Sequence, residues 1–456
     1  LSRYDVTLAA TNVNSANAGD VTLTNTTQSL QTFGAFSPAL VAQSIGGGGG
    51  WSLLRSTPNA QLGSEAGSSL QGGNVNVTST TILQSVEDFS TAAVIQSVGG
   101  GGGVTSSALG NVSLGATNVS GDLSSGNVDA TLTGNVITTG NNSSALVVQT
   151  IGGGGGFGAE VIGDANLGMT SSGRGIANAG SITFVGDGDL VVTAQNDSPA
   201  LVLQSIGGGG GWIGNVGGNA TLGANQIGAT NAGSIDGRVR YPAIQTNGEN
   251  SIGILAQAIA GGGGFTGRSS GNALTLGGTI ASNSTSNAGD VLLKNHARVT
   301  TFGLSTAAII AQSIGGGGGA SATSASGTIG LGAISTAGSS GSLPTIQSGN
   351  VTVTNTQNLS TNAIGSVGLL AQSIAGGGGY ISRIGDGNIS DIDFGSRGEM
   401  NSFAGNIVVR NRAASINTVS DYSPAFVAQS IGGGGGIGLM DSGGIGATLL
   451  GALDNN

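Results

Sequence analysis

A chain of 456 residues with 91 glycines, 7% charged side chains and no cysteine is neither an ordinary set of globular domains nor a disulfide framework, and it holds no thiolate metal site. Its formal charge of −10, from 12 basic against 22 acidic residues, gives no electrostatic footprint for phosphates, so neither nucleic acid nor an anionic membrane surface is expected as a partner. Aromatic residues make up 4%, and the abundant Ala, Val, Ile, Ser, Thr and Asn suit closely stacked strands.

In chain order, Leu8 is followed by Gly19-Asp20-Val21, which opens the alternating stretch Val21-Thr22-Leu23-Thr24-Asn25. Next come Ala39-Leu40-Val41-Ala42-Gln43-Ser44-Ile45, five glycines from Gly46 to Gly50, Trp51, and a Leu62-Gly63 pair. This succession then repeats. The glutamine returns at Gln96, Gln149, Gln204, Gln257, Gln312, Gln372 and Gln429, at intervals of 53, 53, 55, 53, 55, 60 and 57. The whole chain, 1–456, therefore reads as one array of eight units of about 55 residues. Their Gln-Ser-Ile-Gly segments occupy 43–50, 96–103, 149–156, 204–211, 257–264, 312–319, 372–379 and 429–436. The Gly-polar-Val motif recurs at Gly73, Gly126, Gly180, Gly233, Gly289, Gly349 and Gly405, always 23 or 24 residues before a glutamine. The return from each glutamine to the next such glycine varies from 29 to 37 residues, so that half carries the loops. Leu114, Leu167, Leu222, Leu276 and Leu331 repeat the Leu-Gly landmark, with Phe394 and Leu450 closing the series.

The alternating stretch predicts a half-buried strand ending at a turn former. In the glutamine segment, Val, Ile or Leu precedes the glutamine by two and Ile or Val follows it by two, so all three share one strand face. Small or apolar residues fill the other face, which predicts burial on both sides. A helix is excluded by the glycines that follow, each costing about 1 kcal/mol in a helix interior. Units of this kind bury their apolar faces only by stacking, so the predicted class is all-β, a repeat solenoid of parallel stacked coils. The 18 or 19 residues from most glutamines to the next Leu-Gly pair favour three coils of about that size per unit over one wide coil.

In such a stack Gln43 and its counterparts adjoin one another and form an amide ladder; the alternative is a polar side chain facing solvent. All 32 positions four to seven after the glutamines are glycine. A linker tolerates serine, so strict absence of Cβ predicts backbone packed directly on backbone at Gly47, Gly100, Gly153, Gly208, Gly261, Gly316, Gly376 and Gly433, either as a flat polyglycine layer or as a polyglycine II bundle. Trp51, Phe157, Trp212, Phe265 and Tyr380 follow the glycines directly, where Val104, Ala320 and Ile437 stand in the other units. Rings at these positions cover the bare backbone, with sugar-binding platforms as the alternative.

The string Ala-Gln-Ser-Ile followed by five glycines, at 42–50, 311–319 and 428–436, resembles the Gly-rich repeats of large proteobacterial autotransporter passengers and related surface proteins. The resemblance implies export across the outer membrane, a long β-solenoid on the bacterial cell surface or outside the cell, and a part in adhesion, aggregation or biofilm. Neither a signal peptide nor a translocator barrel accompanies the repeats, and the chain starts at Leu1, so it is expected to be processed or cut from something longer. Matching phase at the two ends also fits a filament subunit that associates with itself, head to tail or laterally.

No catalytic, cofactor or metal constellation is expected. His296 is the one histidine, beside Lys294 and Arg298. Glu87-Asp88 and Asp391-Ile392-Asp393 read as solvated turns, and Gly186-Asp187-Gly188-Asp189 only approaches a calcium repeat. No glycine run precedes Lys-Ser or Lys-Thr as a phosphate cradle does. The leading expectation is a structural fibre or stalk that is not an enzyme and does not insert in the membrane. A module binding surface glycans or neighbouring cells is the first alternative, and a β-helix polysaccharide-degrading enzyme is the second. The Thr22/Thr24 and Thr352/Thr354 pairs have Asp129, Asp236, Lys294 and Arg410 at equivalent positions, so no flat threonine surface is expected.

Overall fold

The computed structural model describes residues 5–8, 14–52, 59–65, 67–168, 170–223, 225–324, 327–332, 334–336, 342–384, 389–413, 415–440 and 448–450. These residues hold strands and no helix, so no helix among them is long and apolar enough to cross a membrane. The architecture is a parallel β-solenoid of stacked coils in six sheets.

One coil, followed from Val112, shows the plan. Val112–Leu114 belongs to a leucine sheet, Thr117–Asp122 to an irregular sheet, and Val128–Thr133 to an alternating sheet. Val136–Thr138 forms part of a short sheet, Leu146–Ile151 of a glutamine sheet, and Gly155–Val161 of a glycine sheet. Ala165–Leu167 then returns beside Val112–Leu114, parallel and in register. One repeat is therefore one wide coil, and the expected division into three coils of about 18 residues is wrong. The distance from a glutamine to the next Leu-Gly pair measures the path across the glycine sheet into the leucine sheet, within a single coil. The corner between short and glutamine sheets is turned in the left-handed region, by Asn142, Asp197 and Asn250 with φ of 51, 54 and 55 and by the aromatic Phe36, Phe89 and Tyr422 in other coils.

Three apolar layers hold each coil closed. The even face of the glutamine strand, Leu146 and Val148, packs on Val128, Ala130 and Val136 of the alternating and short sheets. Its odd face, at Val147, packs on Phe157 of the glycine sheet. The far face of the glycine sheet, at Val161 and Ile213, meets the Leu114, Leu167 and Leu222 column of the leucine sheet. Every residue of Leu146–Ile151 is buried, as the two-sided apolar pattern requires. Each fully buried Val, Leu or Ile contributes about 1.5–3 kcal/mol, and coil stacking sets these contributions side by side along the rod. Pairing in the irregular sheet slips between Thr117 and Val119, and the segments 279–280 and 285–287 both pair with Asn225–Asn231 on one side and with the separate segments 334–335 and 345–347 on the other. The extra residues of the variable half are absorbed at this corner without disturbing the glutamine register.

Candidate functional site

The glycine runs adopt a conformation that only glycine reaches comfortably. In the third coil the run bends through Gly153 and Gly154 with φ of 81 and 82, then extends through Gly155 and Gly156 with φ of 138 and 148. The latter pair lies in the strand Gly155–Val161 of an eight-stranded parallel sheet, so of the two expected forms the run takes the sheet layer rather than polyglycine II, at a positive φ that favours glycine. Its hydrogens point along the rod. A Cβ on Gly155 would stand 1.9 Å from the Gly210 carbonyl oxygen of the next coil, and one on Gly156 would stand 1.9 Å from the Gly103 oxygen of the previous coil. Coils thus meet backbone to backbone on both sides.

At the first bend positions the approach is slightly looser. A Cβ on Gly47, Gly100, Gly153, Gly208, Gly261 or Gly316 would lie 2.9, 2.7, 3.0, 2.8, 2.8 or 2.7 Å from a backbone nitrogen of the next coil. For Gly376 the nearest atom is the Gly433 carbonyl carbon at 2.6 Å, while Gly433, in the last coil, has nothing within 4 Å. The requirement for glycine therefore comes from the neighbouring coil and, at Gly47, Gly100, Gly153, Gly208 and Gly261, from the positive φ as well.

The eight glutamines stand in register and their amides join end to end. Each Nε2 donates to the Oε1 of the next coil: Gln43 to Gln96 at 2.8 Å, Gln149 to Gln204 at 2.7 Å, Gln204 to Gln257 at 2.8 Å, Gln257 to Gln312 at 2.7 Å. Gln96 donates likewise to Gln149, Gln312 to Gln372 and Gln372 to Gln429. From Gln149 to Gln372 the same nitrogen also reaches the carbonyl of the last glycine of its own run, as Gln204 does with Gly211 at 3.4 Å. Glutamines 96 to 372 in this series are fully buried, so the ladder lies in the rod's interior. Buried amides in a continuous ladder avoid the desolvation penalty that an isolated one would meet.

A role that sequence reasoning missed belongs to the serine after the glutamine. Ser97 Oγ donates to the Gly73 carbonyl at 2.7 Å and accepts from the Gly126 amide of the next coil at 2.8 Å. Ser44 links Gly19 with Gly73, and Ser313 links Gly289 with Gly349, in the same way. This bridge supplies the physical reason for the nearly fixed spacing between the two motifs. The near-invariant spacing was the available signal, and only the fold revealed the partner.

The aromatic residues line the interior. Phe157, Trp212, Phe265 and Tyr380 are at most 3% exposed and pack between the glycine and glutamine sheets, with Trp51 of the first coil partly buried beside them. Trp212 and Phe265 stack with ring centroids 4.1 Å apart. Burial rules out these four as sugar platforms, because no ligand face remains open.

Charged candidates occupy several different environments. His296 is exposed and pairs through Nδ1 with Thr356 Oγ1 at 3.0 Å. Asp391 and Asp393 are not in a solvated turn: they lie in the strand Ile389–Phe394, where Arg397 Nε donates to the buried Asp393 at 2.6 Å. Alternation on a strand turned this pair into a shallow groove with Arg397. Glu87 and Asp88 do lie at a turn, and Asp88 Oδ1 accepts from the Asn141 amide at 2.7 Å. Burial pushes the Asp197 carboxyl up to about 6, against the lowering effect of the hydrogen bond from Asn250 Nδ2. Among the described residues no group of three or more His, Asp or Glu is placed to hold a metal ion. In Gly186-Asp187-Gly188-Asp189, the Asp187 side chain accepts from the Gly188 amide at 2.9 Å.

No known protein family, curated protein or solved structure matches the chain.

Proposed function

We propose that the chain is a rigid structural segment of an extracellular fibre or cell-surface stalk, supporting adhesion, cell aggregation or biofilm, and that its work is mechanical rather than enzymatic. The observation that carries this reading is the amide ladder of Gln43 to Gln429, which runs unbroken along the rod beside in-register strands. Axial hydrogen bonds in every sheet make bending or stretching the rod equivalent to breaking many bonds at once, which is the property a stalk needs. The resemblance of the Gln-Ser-Ile-Gly repeats to autotransporter passengers supports an extracellular or bacterial cell-surface location.

Self-association follows from the repeat. The top of any coil is complementary to the bottom of any other, so copies stack head to tail through a heterologous contact, and such contacts generate open filaments. Electron microscopy of the purified chain at rising concentration tests this. The expected result is straight rods whose length grows in steps of about 40 Å, eight coils at about 4.8 Å each. Compact particles without a rod axis would contradict the mechanical reading, and rods of fixed length would contradict the head-to-tail part alone.

A further inference from the structure

The basic residues are few and far apart in the chain, yet the coil register gathers half of them on one face. Arg238, Lys294, Thr354 and Arg410 pair in succession across the alternating sheet. Arg238, Lys294 and Thr354 each have buried neighbours before and after them, and Arg410 pairs in register with Thr354 beside Val409, which packs on the core, so all four side chains leave the rod on the same side. Arg240, Arg298 and Arg412 stand within four residues of this column, which brings six of the 12 basic residues into the last four coils of one surface.

Two acids of that region, Asp236 and Asp290, are engaged within the protein, the first with a cation and the second with a neutral amide. Asp236 forms an ion pair with Arg238 at 2.9 Å, and Asp290 accepts from the Asn350 amide at 2.7 Å. Among the described residues no ion pair involves Lys294, Arg298, Arg410 or Arg412. A molecule of net charge −10 thus carries a locally cationic face on which these four have no ionic partner among the described residues.

We propose that this face binds an acidic polysaccharide lying along the outside of the alternating and short sheets. Lys294 and Arg410 are two coils apart, about 10 Å, a sparser lattice than the charge spacing of about 1.7 Å on duplex DNA. Thr352, Thr354, Thr356, Gln357 and Asn358 fill the coil between them with hydroxyls and amides suited to sugar hydroxyls. No aromatic side chain interleaves with Lys294, Arg298, Arg410 and Arg412 along their strands to stack nucleic-acid bases. Charge on a rigid strand lattice needs no ordering of loops on binding, which favours a long extended polymer over a small ligand. The inference goes beyond the mechanical role and holds whether or not the rods polymerise.

The test is retention of polygalacturonate by the purified chain, with dextran as the neutral control and duplex DNA as competitor. The unmodified chain retains polygalacturonate and not dextran, and binding weakens by about tenfold or more as salt rises from about 20 to about 200 mM, because exposed charges are screened. The outward-facing variant Lys294→Gln/Arg298→Gln/Arg410→Gln/Arg412→Gln loses binding by a similar factor while its circular dichroism and melting stay unchanged; Arg268→Gln, on the glycine sheet, retains it. Should the variant misfold, the salt series and the competition decide. No retention at low salt, salt-independent retention, a folded variant that binds as before, or DNA displacing the polyuronate at lower charge concentration would each overturn the proposal.

Discussion

Replacing Gly211 by alanine isolates the coil-to-coil contact from glycine's other properties when it is compared with the same change at Gly50. Both glycines are fifth in their runs and both precede a tryptophan, with φ of 140 and 128. A Cβ on Gly211 would meet the Gly156 carbonyl oxygen at 1.9 Å, whereas a Cβ on Gly50 has nothing within 4 Å. Strain at a backbone angle that L-residues avoid contributes about 1–3 kcal/mol to either variant. Relieving the contact at Gly211 requires about 1.5 Å of separation, close to a third of the ~4.8 Å coil spacing, so adjacent interstrand hydrogen bonds break. Two buried groups left unpaired cost about 1–3 kcal/mol each. Gly211→Ala should therefore destabilise by about 2–6 kcal/mol more than Gly50→Ala. In a Trp51→Phe background the buried Trp212 is the remaining indole, and its emission during urea unfolding reports the coil directly. Gly211→Ala is expected to shift that emission to the red and lower the midpoint sharply. Equal stability of the two variants would refute the reasoning.

The amide ladder and the buried carboxyl give two further expectations. Gln204→Leu leaves Gln149 Nε2 and Gln257 Oε1 without their partner, so urea unfolding should register a loss of about 2–6 kcal/mol, while Gln43→Leu strands only Gln96 Oε1 and should lose about half as much. Asp197 is pushed from 3.8 up to about 6 by burial, so the folded chain holds its proton more tightly than the unfolded chain. Stability from the neutral carboxyl is complete below about 3.8 and is lost as pH rises through about 6. Asp197→Asn should abolish this slope and stabilise the chain at pH above about 7 by up to ~3 kcal/mol, seen as melting curves that no longer change between about pH 4 and 6. The amide introduced by this substitution would also stand one coil from the Asn142 Oδ1, which is buried without a partner.

What the sequence disclosed was governed by whether a contact repeats. The glutamines, the Leu8 to Leu450 landmark and the residues after the glycines recur once per unit, and a stack sets such residues beside their own copies. Both faces of the glutamine strand carry apolar residues in every unit, so burial on two sides was readable from one segment. Coil size was not, because arcs of similar length separate successive sheets and nothing in the spacing marks where the chain closes on itself. The polyglycine conformation was hidden for a related reason: absence of a side chain announces close approach without specifying the sign of φ. Lys294 and Arg410 are 116 residues apart in sequence and two coils apart in space, so their common face emerged only with the register.

One coil per repeat, fastened through bare glycine backbone, can be tested with a single distance. Gln61, Ser113, Asn166, Thr221 and Thr275 pair successively across the leucine sheet, and the native chain has no cysteine to interfere with labelling. Spin labels on Gln61→Cys and Thr275→Cys, measured by pulsed dipolar spectroscopy, should lie about 19 Å apart plus the reach of the label arms, because four coils at about 4.8 Å separate them. A distance of about 60 Å, as three coils per repeat would produce, would contradict the account.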